Sequence, residues 1–216
     1  MNSPHSVCYY KGTQRRQTRL ITFPKLVEAR GIVADATLYY IPDLTDISSL
    51  TRVRNLHILG CNHLKDLSPL NGSQVESIDL RSCTGITDLG NTVIPKVFVE
   101  ACDNLMTVNG LSYGVQSLVL SGCRSLTVVQ GLSLSLRCVT LQFCPLVKEV
   151  HGLSTVPHIA LRFCKGIQDI SPLAHGKVES LVLEFCNNIE RSVDNLKALV
   201  SIPAVSIKDC DTLDDV

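Results

Sequence analysis

Leu118-Val-Leu-Ser-Gly-Cys123-Arg-Ser-Leu126 is a phrase that this chain keeps repeating. It returns as Ile78-Asp-Leu80-Arg-Ser-Cys83-Thr-Gly-Ile86 and as Leu181-Val-Leu183-Glu-Phe-Cys186-Asn-Asn-Ile189. With the cysteine as reference, aliphatics stand eight, five and three residues before it. Examples are Val75, Ile78 and Leu80 before Cys83, and Val156, Ile159 and Leu161 before Cys164. Three, six and nine residues after the cysteine they return, as Leu64, Leu67 and Leu70, Leu105, Val108 and Leu111, or Leu126, Val129 and Leu132. The two-residue alternation predicts a short strand with one buried face. The three-residue spacing suits a 3-10 or extended return, because side chains at i and i+3 of a 3-10 turn align. Twenty-odd residues per coil predict no full α-helix on the return side. Position eight after the cysteine takes turn-formers (Ser49, Pro69, Asn91, Gly110, Gly131, Gly152, Pro172), which puts a corner at the same place in each coil. No single coil can bury its aliphatic row, but stacked coils share one continuous core.

Eight cysteines (Cys61, Cys83, Cys102, Cys123, Cys144, Cys164, Cys186, Cys210) recur at intervals of 19 to 24 residues. Zinc sites use close pairs such as C-x2-C, and the chain has none. One thiol per coil reads as a small buried hydrophobe with a weak S–H donor, so no metal or cofactor is expected. The 216 residues carry no net charge and 45% apolar content, enough for one sizeable core. Neutral balance argues against nucleic acid or acidic membrane as a partner for the whole body. With no run of 18 apolar residues and no apolar segment near the N-terminus, neither a membrane span nor a secretory signal is predicted. The expected compartment is the cytoplasm, with the nucleus as the other option.

The chain divides into residues 1–31, a basic N-terminal arm and degenerate cap, and residues 32–216, a solenoid of about nine coils whose last is incomplete. In the arm, Lys11, Arg15, Arg16, Arg19, Lys25 and Arg30 face only Glu28. Residues 11–19 are too polar to pack and read as a mobile tail, the one segment with a weak claim on nucleic acid. Phe23, Leu26 and Ala29 repeat every third position, as in a return segment. The first regular coil has Ile41 where later coils have cysteine. At the other end Asp209, Asp211, Asp214 and Asp215 surround the final coil, which an acidic shield, another chain or further sequence would have to cover.

Over roughly residues 32–216 the pattern resembles the leucine-rich repeat. Residues 75–86, with Cys83-Thr-Gly-Ile-Thr-Asp88, are similar to the cysteine-containing repeats of F-box proteins. The segments Asp66-Leu-Ser-Pro-Leu70 and Asp169-Ile-Ser-Pro-Leu173 resemble the short repeats of internalins and of a protein-phosphatase regulatory subunit. The coils are shorter than the helical ones of the F-box type. The resemblance implies an α/β-type solenoid dominated by β: a right-handed superhelix with a parallel concave sheet and a 3-10 or extended convex side. It also implies a non-enzymatic scaffold that binds a protein on its concave face. Substrate recognition in a ubiquitin-ligase assembly is the alternative, but residues 1–31 are too short and too polar to be an F-box. Internalin-like adhesion would need the absent signal.

On such a sheet the residues four and two before each cysteine point outward. The first column runs Thr37, His57, Asp79, Phe98, Val119, Thr140, Ala160, Val182, Ser206 and the second Tyr39, Leu59, Arg81, Glu100, Ser121, Gln142, Arg162, Glu184, Lys208. Arg81 beside Glu100, and Arg162 beside Glu184 beside Lys208, alternate in sign, either as cross-strand pairs or as a rim for a charged partner. Phe143, Phe163 and Phe185 precede the cysteine in three consecutive coils. Two readings stand: a partner-binding aromatic row or a self-packed ladder. Tyr39 and Tyr40 form a smaller aromatic patch. The candidates for partner contact are therefore Tyr39, His57, Asp79, Arg81, Phe98, Glu100, Gln142, Phe143, Arg162, Phe163, Glu184 and Phe185.

Catalysis has no foothold in this pattern. The six histidines occupy different repeat positions, and the one plausible couple, His57 with Asp79, lacks a nucleophile because Cys61 and Cys83 belong to the buried column. Cys138, six residues before Cys144, falls outside the core and is the thiol expected to react.

Overall fold

The computed structural model describes residues 8–11, 33–111 and 113–213, and for 8–11 and residue 33 it gives the backbone alone. Ten parallel strands form one sheet: β1 (Cys8–Lys11), β2 (Val33–Tyr39), β3 (Val53–Leu59), β4 (Ser77–Arg81), β5 (Lys96–Glu100), β7 (Ser117–Ser121), β9 (Cys138–Gln142), β10 (His158–Arg162), β11 (Ser180–Glu184) and β12 (Ala204–Lys208). Their order in the sheet is their order in the chain, so every coil lies on the one before it in a solenoid-like stack. Two further strands, β6 (Thr107–Asn109) and β8 (Val128–Gln130), pair with each other on the return side.

Register follows the repeat. Leu56, Ile78, Val97, Leu118, Val139, Ile159 and Leu181 pair in file, as do Ile58, Leu80, Val99, Leu120, Leu141, Leu161 and Leu183. All of these are buried. The three-residue spacing fills the rest of the core with Leu64, Leu67, Leu70, Leu105, Val108, Leu111, Ile167, Ile170 and Leu173. Each large aliphatic removed from water contributes about 1.5–3 kcal/mol, and a vertical file of them is what holds neighbouring coils together.

The residue before each reference position is left-handed in all nine coils. Tyr40, Ser82, Ala101, Phe143, Phe163, Phe185 and Asp209 have φ of 51 to 54°, and Gly60 and Gly122 have φ of 64°. From Tyr40 to Phe185 the amide of this residue donates to the next coil's carbonyl at 2.8–3.1 Å, adding one rung beyond the strand. The kink also breaks the two-residue alternation, so the cysteine points inward and the residue before it does not. All eight reference cysteines are fully buried. Their sulfurs donate to the carbonyl two residues back, as in Cys164 Sγ to Arg162 O at 3.4 Å. Burial pushes the Cys61 and Cys186 thiols up to about 11 and Cys164 up to about 12. Within the bonded pairs the shared hydrogen bond lowers Cys83 and raises Cys102, and lowers Cys144 and raises Cys123.

The structure departs from expectation in three places, two of them in return segments. Four coils turn through 3-10 segments at Ser48–Leu50, Ser68–Leu70, His151–Leu153 and Ser171–Leu173, and those of Cys102 and Cys123 are extended as β6 and β8, as the spacing predicts. The coil of Cys186 instead contains an α-helix, α1 (Val193–Ser201), against the expectation that no helix fits. Its interval to Cys210 is 24 residues, the longest in the chain, which supplies the extra length. Asn195 ties this helix inward: its side chain accepts from the Ile170 and Ser171 amides (2.8 and 3.0 Å) and donates to Glu190 and Gln168 carbonyls (2.8 and 3.1 Å). In the coil of Cys123, Leu132 is only half-buried and Ser133 takes the inward position, its hydroxyl 2.8 Å from that of Ser135. Finally, the sheet begins before residue 32. β1 pairs with β2 with Cys8 opposite Ala36, so Lys11 belongs to a strand; residues 12–19 of the expected tail and the cap residues Phe23, Leu26 and Ala29 lie outside the described residues.

Candidate interaction surface

One face of the sheet carries the buried files and the other is open. The two predicted outward columns run in register from β2 to β12, Thr37–His57–Asp79–Phe98–Val119–Thr140–Ala160–Val182–Ser206 and Tyr39–Leu59–Arg81–Glu100–Ser121–Gln142–Arg162–Glu184–Lys208. At about 4.8 Å per strand they form continuous rows. A third outward column, six residues before the cysteine, escaped the sequence reading: Asp35, Asn55, Ser77, Lys96, Ser117, Cys138, His158, Ser180. Its signal was available, since no aliphatic occupies that position in these coils. Cys138 sits there half-buried, as expected of a thiol outside the core.

In the N-terminal half these columns build a polar network. Asn55 Nδ2 donates to Asp35 Oδ1 and Ser77 Oγ donates to Asn55 Oδ1, both at 2.8 Å. Asp79 is the hub of the next column, its side chain only 18% exposed. Arg81 Nε reaches its Oδ1 at 2.9 Å, Arg81 Nη2 its Oδ2 at 3.0 Å, and His57 Nδ1 lies 3.3 Å from that same Oδ2. The other guanidinium nitrogen meets Glu100 Oε2 at 3.1 Å, and the guanidinium carbon stands 5.1 Å from the Phe98 ring centroid. The Asp79 hydrogen bond raises the Arg81 guanidinium further above its already high value. Both Asp79 oxygens and all three Arg81 nitrogens are engaged, so this cluster is a fixed ion network with an imidazole at its edge rather than a free carboxylate base. A shallow depression of about 450 Å³ opens over Thr37, His57, Leu59, Asp79 and Arg81.

The centre is neutral, with Val119, Ser121, Thr140, Gln142 and Ala160. In the C-terminal half Arg162 Nε lies 2.9 Å from Glu184 Oε2, an ion pair by distance whose N–H is not aligned on the oxygen. Lys208 makes no ion pair with Glu184 among the described residues. Phe143, Phe163 and Phe185 stack face to face with centroids 4.4 Å apart and interplanar angles of 19° and 9°. The row is therefore self-packed, yet its first ring, Phe143, stays 46% exposed. At the opposite end Tyr39 and Tyr40 meet edge-on at 6.2 Å, and the Tyr40 ring lies over Gly60.

The remaining chemistry on the surface is sparse. Among the described residues no group of three or more His, Cys, Asp or Glu is placed to hold a metal ion, and no helix is long and apolar enough to cross a membrane. No family model, curated protein or solved structure matches the chain. The geometry alone carries the functional argument.

Proposed function

We propose that this chain is a non-enzymatic protein-interaction scaffold: a right-handed leucine-rich-repeat superhelix that binds a protein partner on its concave face. The reading is supported chiefly by the make-up of the open face. A hydrogen-bonded cluster (His57, Asp79, Arg81, Glu100) with Phe98 occupies one end, the Arg162–Glu184 pair and the stacked phenylalanines the other, and a neutral strip lies between them. Arg and aromatic side chains dominate protein-binding hot spots, and a rigid sheet presents them without an ordering penalty at the moment of binding.

Site-directed photo-crosslinking tests the proposal in the cells that express the protein. A crosslinker at Val119, mid-face, should form one discrete protein adduct that is lost in an Arg81→Glu variant. A crosslinker at Gln130, on the return side, should not form it. Identical adducts from both positions, or indifference to Arg81→Glu, would reject the concave face as the binding surface.

A further inference from the structure

The Phe ladder ends abruptly. Phe163 covers one face of Phe143, and the other face looks toward the preceding coil, where the same row holds Gly122. A Cβ added at Gly122 would meet nothing nearer than the Ala101 backbone nitrogen at 3.8 Å. Gly60, the other glycine of this row, is covered: a Cβ there would strike the Tyr40 ring at 2.7 Å. The chain thus fills one glycine gap with its own aromatic ring and leaves the second open beside an exposed ring. That gap belongs to a groove of about 720 Å³ along the sheet edge, whose lining includes Glu100, Asp103, Gly122, Arg124, Phe143 and Lys165.

The lining charges are not equivalent. Glu100 is held by Arg81 at 3.1 Å, and Asp103, one coil from Gly122, turns one oxygen into the protein. Arg124 and Lys165 are exposed, sit in the coils on either side of Phe143, and have no ion-pair partner among the described residues. Pro145 and Leu146, both exposed, continue the apolar edge away from Phe143.

We infer that the Gly122 gap is a docking slot for one aromatic side chain of an acidic peptide segment on the partner, the ring stacking on Phe143 beside Arg124, with Lys165 two coils further along the same groove. The inference rests on the scaffold reading above. Gap width favours a planar group, because the native rings occupy this row at 4.4 Å spacing. Arg124 favours a carboxylate beside that ring, and Lys165 favours one further along the peptide, past Phe143. Single-stranded nucleic acid would also stack, but a chain of zero net charge with two free cations along the groove lacks the basic track that a phosphate backbone requires.

The probe is a capped hexapeptide with one tyrosine between glutamates, titrated to millimolar concentration into the ¹⁵N-labelled full chain. The amides of Ser121, Gly122 and Phe143 should shift saturably. A leucine-for-tyrosine peptide and a lysine-for-glutamate peptide should each bind at least tenfold more weakly. Gly122→Phe should continue the ladder with a fourth ring, since φ there already matches that of the three phenylalanines. It should abolish the shifts while holding or raising the unfolding temperature. Arg124→Glu, an exposed change that leaves the core untouched, should weaken binding at least tenfold. No saturable shift with the wild-type chain, equal binding by Gly122→Phe, or tighter binding of an oligothymidylate than of the peptide would each overturn the slot. If the slot fails while the Val119 adduct still forms, the scaffold reading stands without it.

Discussion

Removing the middle ring of the aromatic ladder should reveal both its packing and the strain of the backbone beneath it. Phe163 stacks on two neighbours at 4.4 Å, and aromatic pairs contribute about 0.5–1.5 kcal/mol each beyond area burial. Two such contacts plus the lost burial of a half-covered ring make Phe163→Ala destabilising by about 2–4 kcal/mol. Phe143 stacks on one side only, so Phe143→Ala should lower stability by about 1–2 kcal/mol. A glycine at position 163 separates ring from backbone. In a strand, glycine is worse than alanine by about 0.5–1 kcal/mol. With φ of 54° at this position an L-residue bears about 1–2 kcal/mol of left-handed strain, so the order reverses. Phe163→Gly should equal Phe163→Ala or exceed it by up to about 1.5 kcal/mol. Urea unfolding midpoints at constant m measure all three. A neutral Phe163→Ala would refute the ladder as a stabilising element. Phe163→Gly falling clearly below Phe163→Ala would refute the left-handed strain.

Other outcomes follow from single contacts. Asn195→Ala leaves the Ile170 and Ser171 amides and two carbonyls unpaired; it should lower stability by about 2–4 kcal/mol and speed hydrogen exchange at those two amides before it affects β9. A Cβ at Gly152 would sit on the Val129 carbonyl oxygen and 2.7 Å from Gln130 Cα, backbone against backbone; Gly152→Ala should therefore cost about 2–4 kcal/mol by calorimetry or urea, whereas Gly110→Ala meets no such neighbour. Cys164 ionises near 9.0 when unfolded and is pushed up to about 12 by burial, so its contribution is intact below pH 9 and is lost as pH rises toward 12; Cys164→Ala should flatten the fall in urea midpoint between pH 9 and 11. Native thiol titration should modify Cys138 before any reference cysteine, and rapid labelling of Cys123 would contradict its complete burial.

Much of the candidate surface was legible from spacing. His57 beside Asp79, Arg81 beside Glu100 and the three stacked phenylalanines all follow once the strands are set in register by the cysteine. The bidentate reach of Arg81 back to Asp79 on its own strand does not follow, nor does the Asp35–Asn55–Ser77 chain in a column that no aliphatic marks. Lys208 shows the limit: its column position suggested a pair with Glu184, but the column sets only where the side chains start, and a long lysine can swing away from that alignment.

The linear order of residues was enough to determine the period, the buried files, the parallel pairing of the coils and which side chains stand on the open face. Each of these depends only on the separation of like residues along the chain, because stacked coils convert equal spacing into vertical contact. Tertiary structure decided what spacing cannot express: the left-handed residue before every cysteine, the helix anchored through Asn195, and the gap at Gly122 beside the bare face of Phe143. Those depend on hydrogen bonds and ring contacts between neighbouring coils, 18 or more residues apart along the chain, where competition among side chains for the same space picks the outcome.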